Sequence, residues 1–213
     1  GLQDKEFHKA LGGAKGALSG LGKLAGGTIA GAFTALGGAM STGIGMGVTH
    51  VVNAEESLRK LQASLGLTRQ ETEKLGNVAE DIFAKAYGES IGEVTDSVRQ
   101  VQSALQTMNE ESIKAVTEGA YVFRDLYGYE INETAWAVKN LTSNFEGLSE
   151  TDALDILAKG FQEGADYSGE LLDTIKEYAP QFSAMGLSAE QMMGILVAGA
   201  QNGAWNLDKV GDA

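Results

Sequence analysis

The chain has 213 residues, 43% of them hydrophobic, so it is long enough to bury one or two cores. The absence of cysteine excludes disulfides, thiolate metal sites and cysteine nucleophiles, and the two histidines, His8 and His50, leave no histidine base beyond residue 50. The net charge of −13 is uneven, because residues 1–52 carry four lysines against two acids, whereas the rest carries 12 basic and 27 acidic residues. Such an acidic surface repels phosphate backbones, so we expect no direct, sequence-specific binding of nucleic acid.

The N-terminal quarter of the chain divides into two segments. Residues 1–23 form a cationic, Gly-rich lead segment, and residues 24–54 contain no Asp, Glu, Lys or Arg. This uncharged run of 31 residues is longer than the roughly 20 that a helix needs to cross a bilayer. Its apolarity is weak, because eight of its residues are glycine. We predict a Gly/Ala-rich helix that can enter a membrane but is not committed to one.

Glycines recur at intervals of four in both segments. Small residues one turn apart let helix backbones approach closely, in lipid or within a protein assembly. Three environments stay open for this stretch: a protein sheath in an oligomer, a membrane, and no fixed structure. The predicted helix–helix or membrane packing sites are Gly12, Gly16, Gly20, Gly27, Gly31, Gly43 and Gly47.

From residue 55 onward the sequence is typical of short helices separated by glycine-containing turns. Helix-favouring residues dominate, there is a single proline, and no stretch alternates as a half-buried strand does. We therefore predict an all-α fold, with a long N-terminal helix from about residue 24 to 64 followed by a bundle of about seven short amphipathic helices in one domain, 55–213. Helix stops are predicted at Gly66, Gly88, Gly128, Gly147 and Gly186.

Helix starts are marked by hydroxyl or amide side chains soon after these glycines. A reciprocal capping box, in which the third residue reaches back to the cap, is predicted for Thr68/Glu71, Ser90/Glu93 and Ser188/Gln191, with Ser149/Asp152 as a weaker version. Further starts are predicted at Asn109, Asn132 and Ser168. Pro180 is expected to break the helix that spans residues 169–185.

Apolar stripes at helical spacing predict the core. The clearest are Val94, Val98, Val101 and Leu105; Leu75, Val78, Ala79, Ile82 and Phe83; and Leu154, Leu157, Ala158 and Phe161. Trp136 and Trp205 are predicted to be core anchors. The acid pairs Glu110/Glu111 and Asp152/Asp155 fall in the first turn of predicted helices, where negative charge favours the helix dipole, so we interpret them as structural. No catalytic residue, cofactor site or metal site is predicted, and we expect no enzyme.

Several short stretches, in order, resemble the core domain of phage tail tape measure proteins. They are residues 55–61 (EESLRKL), 66–68 (GLT), 88–94 (GESIGEV), 178–180 (YAP) and 186–191 (GLSAEQ), then Gly203 and the stretch to Gly211. The resemblance covers roughly residues 53–213 and follows a glycine-rich apolar segment. The turn at residues 202–205 (NGAW) departs from the family pattern, and no peptidoglycan hydrolase is attached in these residues.

The resemblance implies a structural, non-enzymatic tail protein. Such proteins lie in the lumen of the virion tail tube, help to set tail length during assembly, and leave before the genome is delivered. The implied partners are tail tube and tail tip (distal tail or baseplate hub) proteins, copies of the chain itself in a trimer or hexamer, and transiently the host membrane. Since the chain begins at Gly1 and stops at Ala213 without natural-looking ends, we expect a piece of a longer polypeptide.

Two other classes of function remain open from the residues alone. A cationic, glycine-rich N-terminus joined to acidic amphipathic helices also fits a secreted helical pore-forming toxin, which would lyse cells as a free monomer. A helical scaffold or adaptor would instead bind partners through a groove. If residues 55–213 form a compact bundle, they add little length per residue, and this part is a folded module rather than the main ruler.

Overall fold

A computed structural model describes residues 54–203, and in that range the chain forms eight helices and no strand. The all-α prediction is confirmed for this part, as are the seven short helices after the first. The predicted long helix is described only at its end, since residues 24–53 lie outside the range. The helices are α1 (Ala54–Leu65), α2 (Arg69–Ala84), α3 (Ile91–Leu105), α4 (Glu110–Tyr127), α5 (Ile131–Asn144), α6 (Glu150–Gln162), α7 (Leu171–Ala184) and α8 (Ala189–Gln201).

The described residues divide into two compact units. The N-terminal unit comprises residues 54–139 and the C-terminal unit residues 140–203, and the division falls inside α5. The predicted segment boundaries at residues 23 and 54 lie outside the described range or at its edge, and they stay predictions.

In the N-terminal unit, α2 and α3 form a central pair. Both pack against α1 and both pack against α4, and they also pack against each other. The predicted stripe of α3 is buried in full, since Val94, Val98 and Val101 have no exposed surface. The stripe of α2 is buried as well, except that Phe83 is only half-buried. Burial of these stripes supplies the main favourable term for this unit.

In the C-terminal unit, α6 and α7 each pack against α8. The predicted stripe on α6 is confirmed, since Leu154, Leu157 and Ala158 are fully buried and Phe161 nearly so. On α7 and α8, the large apolar side chains with almost no exposed surface are Leu171, Leu172, Ile175, Met192 and Leu196. This core combines aliphatic and methionine side chains with the buried aromatic rings of Phe161 and Phe182.

The predicted stops and most predicted starts are found in the structure. All five predicted stop glycines have positive φ, the conformation in which glycine ends a helix without steric cost. Reciprocal capping boxes form at Thr68, Ser149 and Ser188, and Asn109 caps α4 by accepting a hydrogen bond from the Ser112 N–H. The pair predicted as the weaker box, Ser149/Asp152, is thus a full one.

At α3 the predicted capping box is wrong in one half. Ser90 caps the helix by accepting from the Glu93 N–H at 3.2 Å, but the Glu93 carboxylate does not return to the Ser90 backbone. It accepts instead from the Glu89 N–H at 2.6 Å and from the Arg124 guanidinium at 2.6 Å. A cation from another helix has redirected the carboxylate.

Two predicted starts are also wrong. Helix α5 begins at Ile131, one residue before Asn132, and the Glu130 N–H donates to the Glu133 carboxylate at 2.8 Å. Helix α7 begins at Leu171 rather than near Ser168, because the Asp166 carboxylate accepts the Leu171 N–H at 3.1 Å and the Ser168 hydroxyl has no partner. In both places a nearby carboxylate takes the role assigned to an amide or hydroxyl.

Pro180 does not break its helix, contrary to the prediction, and α7 continues through it to Ala184. The proline lies on the exposed face, where water can reach the Lys176 carbonyl that has lost its usual N–H donor. Tyr178, Ala179 and Phe182 are buried around it, so packing on the other face holds the helix together.

Trp136 is not a core anchor. Its side chain is 43% exposed, because α5 buries Ile131, Thr134 and Val138 on the opposite face. The size of the residue suggested burial, whereas its helical position gives exposure. Trp205 lies outside the described residues, so its prediction stays untested.

Candidate functional site

The seven glycines predicted as packing sites all lie outside the described residues. Gly12, Gly16, Gly20, Gly27, Gly31, Gly43 and Gly47 therefore remain predictions. Among residues 54–203, no helix is both long and apolar enough to cross a membrane.

Close packing at helical glycines does occur, at three positions that the sequence reading did not single out. A Cβ at Gly76 would lie 2.8 Å from Leu58 of α1, and one at Gly92 would lie 3.1 Å from the Ser57 hydroxyl. In the C-terminal unit, a Cβ at Gly160 would overlap the sulfur of Met193 on α8. These glycines set how closely α1 approaches α2 and α3, and how closely α6 approaches α8. Their signal in the sequence was a single glycine inside a helical stripe.

A cluster of interacting polar side chains lies where the turn between α2 and α3 meets α4. The Glu93 carboxylate binds the Arg124 guanidinium at 2.6 Å, and the guanidinium carbon lies 4.6 Å from the centre of the Tyr121 ring. The Tyr121 hydroxyl is 2.9 Å from the Ser97 hydroxyl, which donates to the Glu93 carbonyl at 3.0 Å. We call these four residues, Glu93, Ser97, Tyr121 and Arg124, the α3–α4 cluster.

Ionisation in this cluster reflects burial and pairing together. Burial acts to raise the pKa of Glu93, but hydrogen bonds from the Glu89 N–H and from Arg124 outweigh it, so the pKa lies below its ordinary value. Burial raises the pKa of Tyr121 to about 12. Glu93 is thus a stable anion and Tyr121 a neutral hydrogen-bonding group near neutral pH, which is a structural arrangement and not a proton-transfer pair.

The turn itself fits tightly against the cluster. Gly88 has φ of +71°, and a Cβ there would lie 2.7 Å from Val94 and 2.9 Å from the Tyr121 hydroxyl. The Tyr87 ring stacks at a tilt on Tyr121, with 5.8 Å between ring centres. Ala86 also has positive φ, +66°, which strains a residue with a Cβ. The resembling motif at residues 88–94 therefore forms this turn and the cap of α3.

A ladder of ion pairs joins α2 to α4. Its three pairs follow the same direction on both helices, which therefore run parallel, as the two short turns through α3 require. Charges alternate along each helix, so a shift in register would bring like charges together. The pairs are Lys74–Glu110 at 3.3 Å, Asp81–Lys114 at 2.7 Å and Lys85–Glu118 at 2.6 Å.

A polar groove of about 880 Å³ lies between α1 and the start of α3. Its cations are paired with acids on their own helices, Lys60 with Glu56 at 2.9 Å and Arg99 with Asp96 at 2.8 Å. Two further acids, Glu89 and Glu93, line the groove, and Glu93 pairs with Arg124 of α4, so the lining itself carries more acidic than basic side chains.

The predicted acid pairs have structural partners. Glu110 belongs to the ion-pair ladder, and Asp152 completes the capping box of Ser149. Asp155 was predicted to lie in the first turn of α6, and this is wrong. It lies one turn further on, where it is largely buried. Within residues 54–203, no three acidic or histidine side chains are grouped as a metal site would require.

Comparison with known proteins gives two matches. The model of a family described as phage-related minor tail protein matches residues 82–213, more than half of the chain. A stretch of 43 residues is 51% identical to the probable tape measure protein of Streptomyces phage phiC31, and the alignment covers 20% of this chain but only 6% of that protein. No solved structure matches. Because the family match includes α3 to α8, and the curated relative has the same kind of description, the chain belongs to the phage-related minor tail protein family and is a tape measure-like protein of a phage tail.

Proposed function

We propose that this chain is a non-enzymatic structural part of the tail, where it lies in the lumen of the tail tube, helps to set tail length during assembly and assists genome delivery. Membership of the minor tail protein family and the partial match to a probable tape measure protein support this role. Within it, residues 54–203 act as a folded module, and the extended parts of the protein act as the ruler.

The observation that carries this division is the compactness of the described helices. The longest, α4, has 18 residues and spans about 27 Å at about 1.5 Å of rise per residue. The same 150 residues as one continuous helix would span about 225 Å. Because the apolar stripes bury one another inside each unit, this part of the chain contributes far less length than a straight helix would.

An in-frame deletion of residues 54–203 in the phage gene tests the proposal through tail length. We expect tails shortened by far less than about 225 Å, measured by electron microscopy of whole particles. A deletion of only the short α1–α2 connection, residues 66–68, serves as a control for the effect on tail length of making any in-frame deletion in this gene. Tails shortened by the full helical length would show that this part is itself the ruler.

The partners follow from the same role. We infer contacts with tail tube and tail tip proteins and self-association as a trimer or hexamer, supported by the family alone. Cross-linking of intact particles, followed by mass spectrometry, should recover links from this chain to tube and tip subunits. Recovery of the chain only outside particles would contradict a tail location.

The uncharged segment 24–54 carries the proposed membrane step. Its length and its spaced glycines support a helix that packs with copies of itself in lipid. A peptide of residues 11–56 should release dye from liposomes, and the same peptide with Gly27→Leu and Gly31→Leu should release less, because the close helix contact is lost. No release by the parent peptide would rule out this step for the segment.

A further inference from the structure

The turn between α2 and α3 combines backbone strain with an unusual density of contacts to α4. Ala86 has φ of +66°, a conformation that costs an L-residue free energy relative to its usual range. Three side chains in or next to the turn contact residues of α4. Lys85 pairs with Glu118 at 2.6 Å, and Glu93 pairs with Arg124 at 2.6 Å. The Tyr87 ring packs on the ring of Tyr121. A strained turn persists only where its surroundings hold it in place.

The Glu93–Arg124 pair is central to this arrangement. One carboxylate oxygen of Glu93 accepts from Arg124, and the other accepts from the Glu89 N–H inside the turn at 2.6 Å. The carboxylate therefore links the backbone of the turn directly to α4. Both side chains are about one-third exposed, so the pair is partly shielded from water and yet open to competition by salt.

The position of the pair on α4 gives it a role in opening. Arg124 lies in the last turn of α4, four residues before Gly128, where the chain turns toward α5. The Asp81–Lys114 pair instead joins α2 to α4, and Lys114 lies ten residues before Arg124 on α4. Opening that starts from the α5 end of α4 must break the Glu93–Arg124 pair before it reaches the Asp81–Lys114 pair.

We propose that the α2–α3 turn is a latch: the Glu93–Arg124 pair holds the strained turn on the end of α4, and its rupture frees both while α1 stays packed. Release removes the restraint on Ala86 and uncovers Tyr121, which is fully buried in the closed state. Helix α1 packs on α2 and α3, and we expect these contacts, including that of Ser57 with Gly92, to remain when the Glu93–Arg124 pair breaks.

Hydrogen exchange of the full chain, followed by mass spectrometry, tests the latch with a matched pair of variants. Arg124→Met removes the charge pair and keeps the apolar stem, and Lys114→Met removes the neighbouring ion pair between α2 and α4. We expect Arg124→Met to speed exchange about tenfold in the turn and in the last two turns of α4, with α1 unchanged. Lys114→Met should leave exchange in the turn unchanged.

Two further variants keep the test decisive. Glu93→Gln retains the shape of the side chain and should give the same pattern with a smaller increase, even if Arg124→Met folds poorly. Ala86→Gly removes the backbone strain and should slow exchange in the turn. Equal acceleration across all four helices by Arg124→Met, equal acceleration of the turn by Lys114→Met, or no change in the turn would each overturn the latch.

Discussion

In the N-terminal unit several ion pairs connect neighbouring helices, besides others within one helix, whereas both described lysines of the C-terminal unit pair with nearby acids in the sequence. Three ion pairs join α2 to α4, and a fourth joins α3 to α4. The two lysines of residues 140–203, Lys159 and Lys176, pair with acids three or four residues away. The C-terminal unit also has the larger net negative charge for its size, with two basic and ten acidic residues, against nine and fifteen in residues 54–139.

The difference shows two ways of specifying a helical bundle. In the N-terminal unit, alternating charges and the α3–α4 cluster fix which helices meet and in what register. In the C-terminal unit, that task falls to apolar stripes and to the close approach of α6 and α8 at Gly160. Repulsion among its acids opposes folding there, and salt screens that repulsion. The two units should therefore respond differently to truncation of the core, to pH and to salt.

The largest expected effect is on the apolar core of the C-terminal unit. Leu157→Ala removes a fully buried side chain and should lower the free energy of unfolding of this unit by about 2–5 kcal/mol. The loss should be the same at low and high salt, because no charge is involved. Urea unfolding at both salt concentrations measures it, with the exposed Leu126→Ala as a control of small effect. A strongly salt-dependent loss would contradict an apolar origin.

The close approach of α6 and α8 gives the next largest effect. Gly160→Ala places a methyl group against Met193 and should cost about 1–3 kcal/mol through overpacking. The double variant with Met193→Ala makes room for the methyl group, so the two losses should not add. Thermal unfolding of the single and double variants measures the coupling. Strict additivity would show that the two side chains do not compete for the same space.

Acid should weaken the N-terminal unit through Glu93. Its pKa in the folded chain lies below the ordinary value near 4.5, so its contribution to stability is complete above that value and is lost as the pH falls through the folded pKa. We expect hydrogen exchange in the unit to accelerate below about pH 4.5, and less steeply in Glu93→Gln. An identical pH profile for the variant would exclude Glu93 as the cause.

The smallest predicted effect separates ion pairs between helices from those within one helix. Lys85→Met removes a pair whose acid, Glu118, is 15% exposed, and should cost about 0.5–1 kcal/mol at low salt and less at high salt. Lys176→Met removes a local pair on α7 and should cost about 0.3 kcal/mol. Denaturant midpoints of both variants give the comparison, and equal losses would remove the distinction between the units.

Local signals made most of the fold predictable. Glycine stops and side-chain caps act within a few residues, so the starts of α2, α4, α6 and α8 could be predicted from the sequence. Where prediction failed, a longer-range partner or the local surroundings decided the outcome. The Glu93 carboxylate binds Arg124, 31 residues away, instead of the Ser90 backbone. Helix α7 tolerates Pro180 because the proline faces solvent.

The α3–α4 cluster was not predictable for the same reason. Its members, Glu93, Ser97, Tyr121 and Arg124, are ordinary residues on two helices, and only the packing of α3 against α4 brings them together. The ion-pair ladder likewise requires knowledge that α2 and α4 are neighbours. In the turn beside the α3–α4 cluster, the sequence could indicate only the capping serine at residue 90 and the glycine stop at residue 88.

The central claim is that the described helices stay folded as a module inside the tail. Because the chain has no cysteine, Asp81→Cys with Lys114→Cys introduces one defined pair, whose native side chains are 2.7 Å apart. Treatment of intact particles with a short bismaleimide should link the two positions within one chain. A second pair on the same helices, Lys74→Cys with Glu118→Cys, is out of register and should not be linked. Linkage of the in-register pair in the purified chain but not in intact particles would contradict the claim.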